Sequence, residues 1–283
     1  MEIDFDCIPC IFRQALESSR MATEDEELIK EILDEYAKLV PEMDLDLKGP
    51  KLSGQAQQIV KDKTGVEDPY QEFKQRHMEL AQELYPEVKS IVAKAEDPLF
   101  DALIISATGN AIDAGISLDV DVAHQVKMAV ENGFVKSDLA LLESKLQKED
   151  EVLIIGDNSG EAIFDKLLIE ELQEYDLDVI YAYRDLPVLN DVTSKEIEEI
   201  GIDKLADRVL SSGAQTPGTI LAETTAEFRE VYDRAGVVIS KGQGNFEGLS
   251  DAEREIFFLL KAKCDLVANM LEVDTGDLVF ELR

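Results

Sequence analysis

Asp157 and Asn158 follow the apolar run Val152-Leu153-Ile154-Ile155, separated from it only by Gly156, and a second acidic-amide pair, Asn190-Asp191, stands further along the chain. Carboxylate and amide side chains supply the hard oxygen donors that magnesium or manganese takes. Two such pairs on separate loops can meet at one cation. The same residue types cap helices through Asx-turns at this kind of junction, so the Asp157-Asn158 dipeptide alone leaves both readings open. Lys241 comes directly after Val237-Val238-Ile239-Ser240 and before Gly242-Gln243-Gly244. A lysine in that place is a candidate phosphate ligand, with a solvated surface lysine as the competing reading. Arg184, at the end of Asp178-Val179-Ile180-Tyr181-Ala182-Tyr183, is placed for a phosphate or a carboxylate. The loop Gly213 to Gly218 has the small-residue composition that cradles an anion through backbone N–H groups, although ordinary strand-to-helix connections share it.

These residues belong to a recurrent pattern in which a short apolar run delivers polar residues and a helical segment follows. Strands are expected at 102–106, 152–155, 178–184, 209–211 and 237–240, with 278–282 pairing at an edge; 257–264 and 266–271 are expected as a helix and a final strand. Alternation of this kind predicts a parallel α/β sheet, whose ligands bind beyond the carboxyl ends of the strands. Asn110 and Asp113, after the expected strand at 102–106, share a helical face if that helix starts near Thr108, and so face the same crevice. Residues 1–95 read as mostly helical, with apolar positions at helical spacing in 8–16, 28–40 and 73–92, punctuated by Pro41, Pro50, Pro69 and Pro86. Cys7-Ile8-Pro9-Cys10 is a CxxC with no second CxxC or nearby His to complete a zinc site; half of a metal site, a redox pair and two small core residues all remain open.

Composition narrows the partners. Against 28 Lys plus Arg stand 61 Asp plus Glu, a formal charge of −33. Such a field repels nucleic acid and anionic membranes, so neither is an expected partner. It repels phosphorylated ligands as well, and a site for one needs a local cation or clustered basic side chains. No apolar run approaches the roughly 20 residues that span a bilayer, and the acidic amino terminus lacks the features of a signal peptide. A cytoplasmic protein is expected. His77 and His124 are the only histidines, which leaves little material for Ser-His-Asp or Cys-His chemistry.

Taken in order, Cys7-Ile8-Pro9-Cys10, Gly109-Asn110-Ala111-Ile112-Asp113, Gly156-Asp157-Asn158-Ser159-Gly160-Glu161, Leu189-Asn190-Asp191-Val192-Thr193, Lys241-Gly242-Gln243-Gly244-Asn245-Phe246-Glu247 and Lys263-Cys264-Asp265 resemble the DUF89 family. Its members are metal-dependent phosphatases, also called damage-control phosphatases, and the CxxC is similar to the mostly prokaryotic branch. The resemblance implies a three-layer α/β/α core with a parallel sheet over residues 96–283 and a helical amino-terminal subdomain over 1–95. It also implies a divalent cation (magnesium, manganese, cobalt or nickel) held by Asp157, Asn158 and Asp191. Where eukaryotic members carry Arg-Thr-x-Lys this chain has Leu260-Lys261-Ala262-Lys263, so only the lysine matches.

The expected activity is hydrolysis of a phosphorylated small metabolite, a sugar phosphate or a phosphopantetheine-like compound. Asp157 serves as ligand, with direct attack on phosphorus as its alternative role, Glu161 orients water, Lys241 and Arg184 bind the phosphoryl oxygens with Lys263 as the alternative cation, and Asn110, Asp113, Gly213 and Gly218 border the substrate. The competing enzyme class is an S-adenosylmethionine-dependent carboxyl methyltransferase, but 156–160 lacks Gly-x-Gly-x-x-Gly, and methyl transfer needs no cation site. A non-enzymatic binding module that uses the acidic surface and the CxxC is the third reading.

Overall fold

The computed structural model describes residues 1–114 and 122–283, with side chains except those of residues 42, 110–114 and 122–125. Its first three helices, α1 (Cys7–Ala22), α2 (Glu26–Leu39) and α3 (Gly49–Thr64), bury Ile11, Ala15, Tyr36, Leu52 and Ala56 in a small core of their own. Asp25 starts α2 by accepting the N–H groups of Glu27 and Leu28, and Gly65 ends α3 in the left-handed conformation, φ +71°. Helix α4 (Gln71–Val92) continues through Pro86 and packs instead on the main core, which takes in its Met78, Ala81, Val88 and Val92.

Next come α5 (Pro98–Ala114), α6 (Val122–Asn132), β1 (Lys136–Ser137), α7 (Leu139–Leu146), β2 (Glu151–Ile155), α8 (Ser159–Leu172), β3 (Asp178–Tyr183), α9 (Ser194–Ile200) and β4 (Arg208–Ser211). The chain closes with α10 (Ala226–Arg234), β5 (Val237–Lys241), α11 (Gly242–Leu249), β6 (Phe257–Lys261), α12 (Asp265–Leu271) and β7 (Leu278–Leu282). The seven strands form one sheet in the order β1-β7-β6-β5-β2-β3-β4, parallel except between β6 and β7. Side chains of β2 alternate between two cores: Val152 and Ile154 face the helices α4, α5 and α8, while Leu153 and Ile155 face α10, α11 and α12. This is the expected three-layer α/β/α arrangement.

Three expected elements are different. Residues 102–106 are not a strand; they lie in α5, where Ala102, Leu103, Ile104, Ile105 and Ser106 are all fully buried along α8. A helix wrapped on every side has no polar stripe, so its sequence shows an apolar run without period, the same signal as a buried strand. Conversely, 257–261 is strand β6, hydrogen-bonded between β5 and β7 and buried on both faces, where a helix was expected, and 266–271 lies in helix α12, where a final strand was expected. Asn110 and Asp113 fall in α5, but their side chains lie outside the described residues.

The sheet order reverses at β2. From β2 the chain winds through β3 to β4 on one side, whereas β5 docks on its other side and leads to β6. The carboxyl ends of β2 and β5 therefore diverge into a switch-point crevice, and Asp157 and Lys241 both stand at it.

Candidate active site

Backbone hydrogen bonds zip the loop after β3 onto the loop after β2. Arg184 donates its N–H to the Val192 carbonyl at 3.0 Å, Val192 to the Asp157 carbonyl at 2.8 Å, and Ser159 to the Asn190 carbonyl at 2.9 Å. Asn158 and Asp191 consequently face one another as an isolated β-bridge. Asp157, Asn158 and Asp191 are all buried, and one guanidinium braces both carboxylates: Arg184 Nε donates to Asp191 Oδ2 at 2.7 Å, and its Nη2 lies 3.8 Å from Asp157 Oδ1. The other guanidinium contacts run to Thr219 Oγ1 at 3.0 Å and Asn245 Oδ1 at 2.9 Å. Asn245 in turn donates to the carbonyls of Gly156 and Lys241, tying the ends of β2 and β5 together. Gly242, at φ +78°, opens α11 against Asp157; a Cβ there would collide with Asp157 Oδ2.

A second buried group lies beside the first. Lys241 is fully enclosed, and its ammonium donates to Glu161, to Asp165 and, at 3.0 Å, to the Ser106 carbonyl. An ammonium has three N–H groups, and all three are engaged. Asp165 also accepts from Ser106 Oγ and Tyr181 Oη, each at 2.7 Å. Glu161 and Asp165 occupy successive turns of α8 and so share a face. Burial works against the Lys241 charge, but Asp165 and Glu161 outweigh it and leave the pKa raised.

Both groups border a cavity of about 500 Å³ whose wall includes Ala107, Asp157, Glu161, Gly242, Gln243 and the strip Leu259 to Lys263. Burial pushes the Glu161 carboxyl up to about 8 and the Asp191 carboxyl up to about 7, the latter against the pull of Arg184. Asp157 is raised by burial too; of the charges that oppose this, Lys263 is the largest. Lys263 is exposed at the cavity rim, and its ammonium makes no hydrogen bond or ion pair among the described residues. Four buried carboxylates (Asp157, Glu161, Asp165 and Asp191) thus face two buried cations, Arg184 and Lys241. With all four ionised, the cluster is short of two positive charges. A second cavity, near Tyr232 and Arg254, is walled by Asp233, Glu253 and Glu255 and carries no comparable set.

Residues 3–279 match the sequence profile of the damage-control phosphatase ARMT1-like domain. The chain belongs to the damage-control phosphatase family. It is 32% identical to a damage-control phosphatase of Archaeoglobus fulgidus over 99% of this chain and 98% of the relative. It is also 32% identical to a damage-control phosphatase of Pyrococcus horikoshii, over 99% and 97% of the two chains. The crystal structure of a DUF89 family protein from Pyrococcus horikoshii superposes with a TM-score of 0.90 at 30% identity, covering 99% of this chain and 98% of that one. Membership in this family supports a phosphatase and a small-molecule substrate, and no helix among the described residues is long and apolar enough to cross a membrane.

On this damage-control phosphatase scaffold the residues singled out from sequence divide into three sets. Asp157, Asn158, Asp191, Glu161 and Lys263 converge on the crevice and its cavity. Arg184 and Lys241, expected as phosphate ligands, reach it only from beneath: each is almost fully buried and paired with carboxylates. Gly213 and Gly218 lie away from the cavity wall, Gly213 packing against Thr225 and Gly218 against the Gly244 carbonyl. Sequence reasoning gave no role to Asp165, Tyr181, Thr219, Asn245 or Lys261, of which the last lines the cavity. Only the Glu161 to Asp165 spacing, four residues apart on a helix, signalled one of them.

The CxxC forms no disulfide. Cys7 and Cys264 are half-buried and Cys10 is exposed, all as free thiols. Burial raises the Cys7 and Cys10 thiols, and the negative charges of Glu247 and Cys264 add to it. Gln243, in the cavity wall, donates to Cys264 Sγ at 3.4 Å, which places Cys264 beside the crevice. Among the described residues no group of three or more His, Cys, Asp and Glu side chains closes on a common point. The candidate cation ligands Asp157, Asn158 and Asp191 are two carboxylates and an amide.

Proposed function

We propose that this member of the family is a divalent-cation-dependent phosphomonoesterase acting on phosphorylated small metabolites, sugar phosphates or phosphopantetheine-like compounds, including damaged ones. The observation that carries the reading is the deficit of two positive charges in a buried, oxygen-rich cluster that opens onto a cavity rimmed by an unpaired lysine. Carboxylates gathered out of water take up protons or a cation, and the raised Asp157, Asp191 and Glu161 are the signature of such a gap. A divalent ion matches the deficit.

Asp157, Asn158 and Asp191 would hold it, with their oxygens turned to it in place of the contact from Asn158 Nδ2 to Asp157 Oδ2. Once bound, magnesium, manganese, cobalt or nickel supplies a Lewis acid that polarises a phosphoryl oxygen and lowers the pKa of coordinated water. The remaining work belongs to the chain. Lys263 draws the phosphoryl group in against the net negative field and offsets its charge, with Lys261 beside it. Glu161, held by Lys241, orients the attacking water from the cavity wall. Arg184 keeps Asp157 and Asp191 at a fixed separation, and the wall from Leu259 to Ala262 narrows the space left for solvent.

The test is release of phosphate from p-nitrophenyl phosphate by metal-stripped protein, with and without added manganese, magnesium, cobalt or nickel. Turnover that appears only with a divalent ion is expected; equal release with and without it contradicts the reading. A panel of phosphorylated metabolites under the best metal then ranks the substrates.

A further inference from the structure

Asp165 is the most enclosed carboxylate of the site, with no exposed surface, and it is absent from the cavity wall. Four elements meet on it. It projects from α8, Ser106 donates from α5, Tyr181 from β3, and Lys241 from the end of β5. The same ammonium holds Glu161, one turn earlier on α8, and Glu161 does line the cavity. A fixed chain of contacts therefore runs from the protein interior through Asp165 and Lys241 to the carboxylate that faces substrate.

Building on the phosphatase reading, we infer that Asp165 is a positioning residue: it anchors Lys241 beneath the cavity and through it sets the orientation of Glu161. Neutralised by Asp165, Lys241 shares its remaining N–H groups between Glu161 and the Ser106 carbonyl, and so holds Glu161 without drawing it out of the cavity. Replacement of Asp165 by Asn keeps the shape but removes the countercharge. Glu161 then becomes the sole carboxylate on Lys241 and is pulled toward the interior. Catalysis suffers because the water-orienting group moves, while substrate capture, which rests on Lys263, does not.

The experiment compares Asp165→Asn, Lys241→Met and the double variant at saturating manganese, on preparations with parental circular dichroism. Asp165→Asn is expected to lower kcat about ten- to a hundredfold with KM within about threefold of the parent, and the double variant is expected to be no slower than Lys241→Met, because one residue acts through the other. A kcat within twofold of the parent, or effects that multiply in the double variant, overturns the inference. Tyr181→Phe removes a single hydroxyl from Asp165 and serves if Asp165→Asn does not fold; a severalfold drop in kcat with unchanged KM is expected, and an unchanged kcat contradicts the role. A carboxyl-carbon NMR titration of metal-free protein reads Glu161 without reference to activity. Lys241, Asp157 and Tyr181 face it besides Asp165. In Asp165→Asn the Glu161 pKa is expected to fall, since a like charge is lost and Lys241 draws closer; an unmoved titration sinks the inference. A parent that releases no phosphate with any metal, beside a shifted Glu161, faults the phosphatase reading and not the positioning.

Discussion

Two lysines divide between them the work that one lysine at a strand end was expected to do. Lys241 pairs with the buried carboxylates Glu161 and Asp165, and in the proposed reading Lys263 carries the charge that a substrate meets. Their substitutions should therefore fail in different ways. Lys241→Ala leaves Glu161 and Asp165 uncompensated in the interior, and breaking a buried pair of this kind costs about 3–5 kcal/mol of stability, which denaturant titration will read. Lys263→Ala removes an exposed side chain, so stability should change by no more than about 0.5 kcal/mol. Its catalytic loss is another matter: a charge-assisted contact that tightens in the transition state is worth about 2–4 kcal/mol, or roughly thirty- to a thousandfold in kcat/KM. Steady-state kinetics that find Lys263→Ala within about threefold of the parent would assign substrate capture to Lys261.

At the scale of elements, what could be read in advance was whatever ended a strand. Asp157, Asn158 and Asp191 follow apolar runs and precede helices, and that punctuation survives in a single sequence. Asp165 had no signal beyond its spacing from Glu161, because it sits inside α8 and its partners come from α5, β3 and β5, elements whose adjacency no local pattern encodes. The runs at 102–106 and 257–261 exchanged roles for a related reason: full burial erases the periodicity that separates helix from strand. Gly242 is where element geometry bears most directly on the site, since its left-handed backbone lets α11 begin against Asp157. Gly242→Ala should shift Asp157 off its position and weaken manganese binding at least tenfold, with circular dichroism unchanged. Metal titration by calorimetry checks this, and an unaltered affinity would mean that the Asp157 carboxylate is not held by that contact.

For the molecule as a whole, a net charge of −33 and a buried cluster short of positive charge act in the same direction. Asp191 and Glu161 titrate near 7 and 8 in the folded chain against roughly 4 when unfolded, so the folded state binds more protons between those values. Their contribution to stability is complete below about pH 4 and is lost as the pH rises through 7 and 8, by up to about 1.4 kcal/mol per pH unit for each proton. Metal-free protein should accordingly melt at a lower temperature at pH 8.5 than at pH 5.5. Manganese should recover most of that difference, because a cation favours the ionised carboxylates. A melting temperature that rises with pH in the absence of metal would contradict the electrostatic picture. The most direct test of the central claim is equilibrium manganese binding, followed by the loss of the free-ion electron paramagnetic resonance signal and set beside phosphate release on the same preparations. One ion per parental chain is expected, with binding and metal-dependent turnover lost together in Asp157→Ala and in Asp191→Ala. Parental binding in both folded variants, or turnover that persists without bound ion, would show that Asp157, Asn158 and Asp191 are not the cation site.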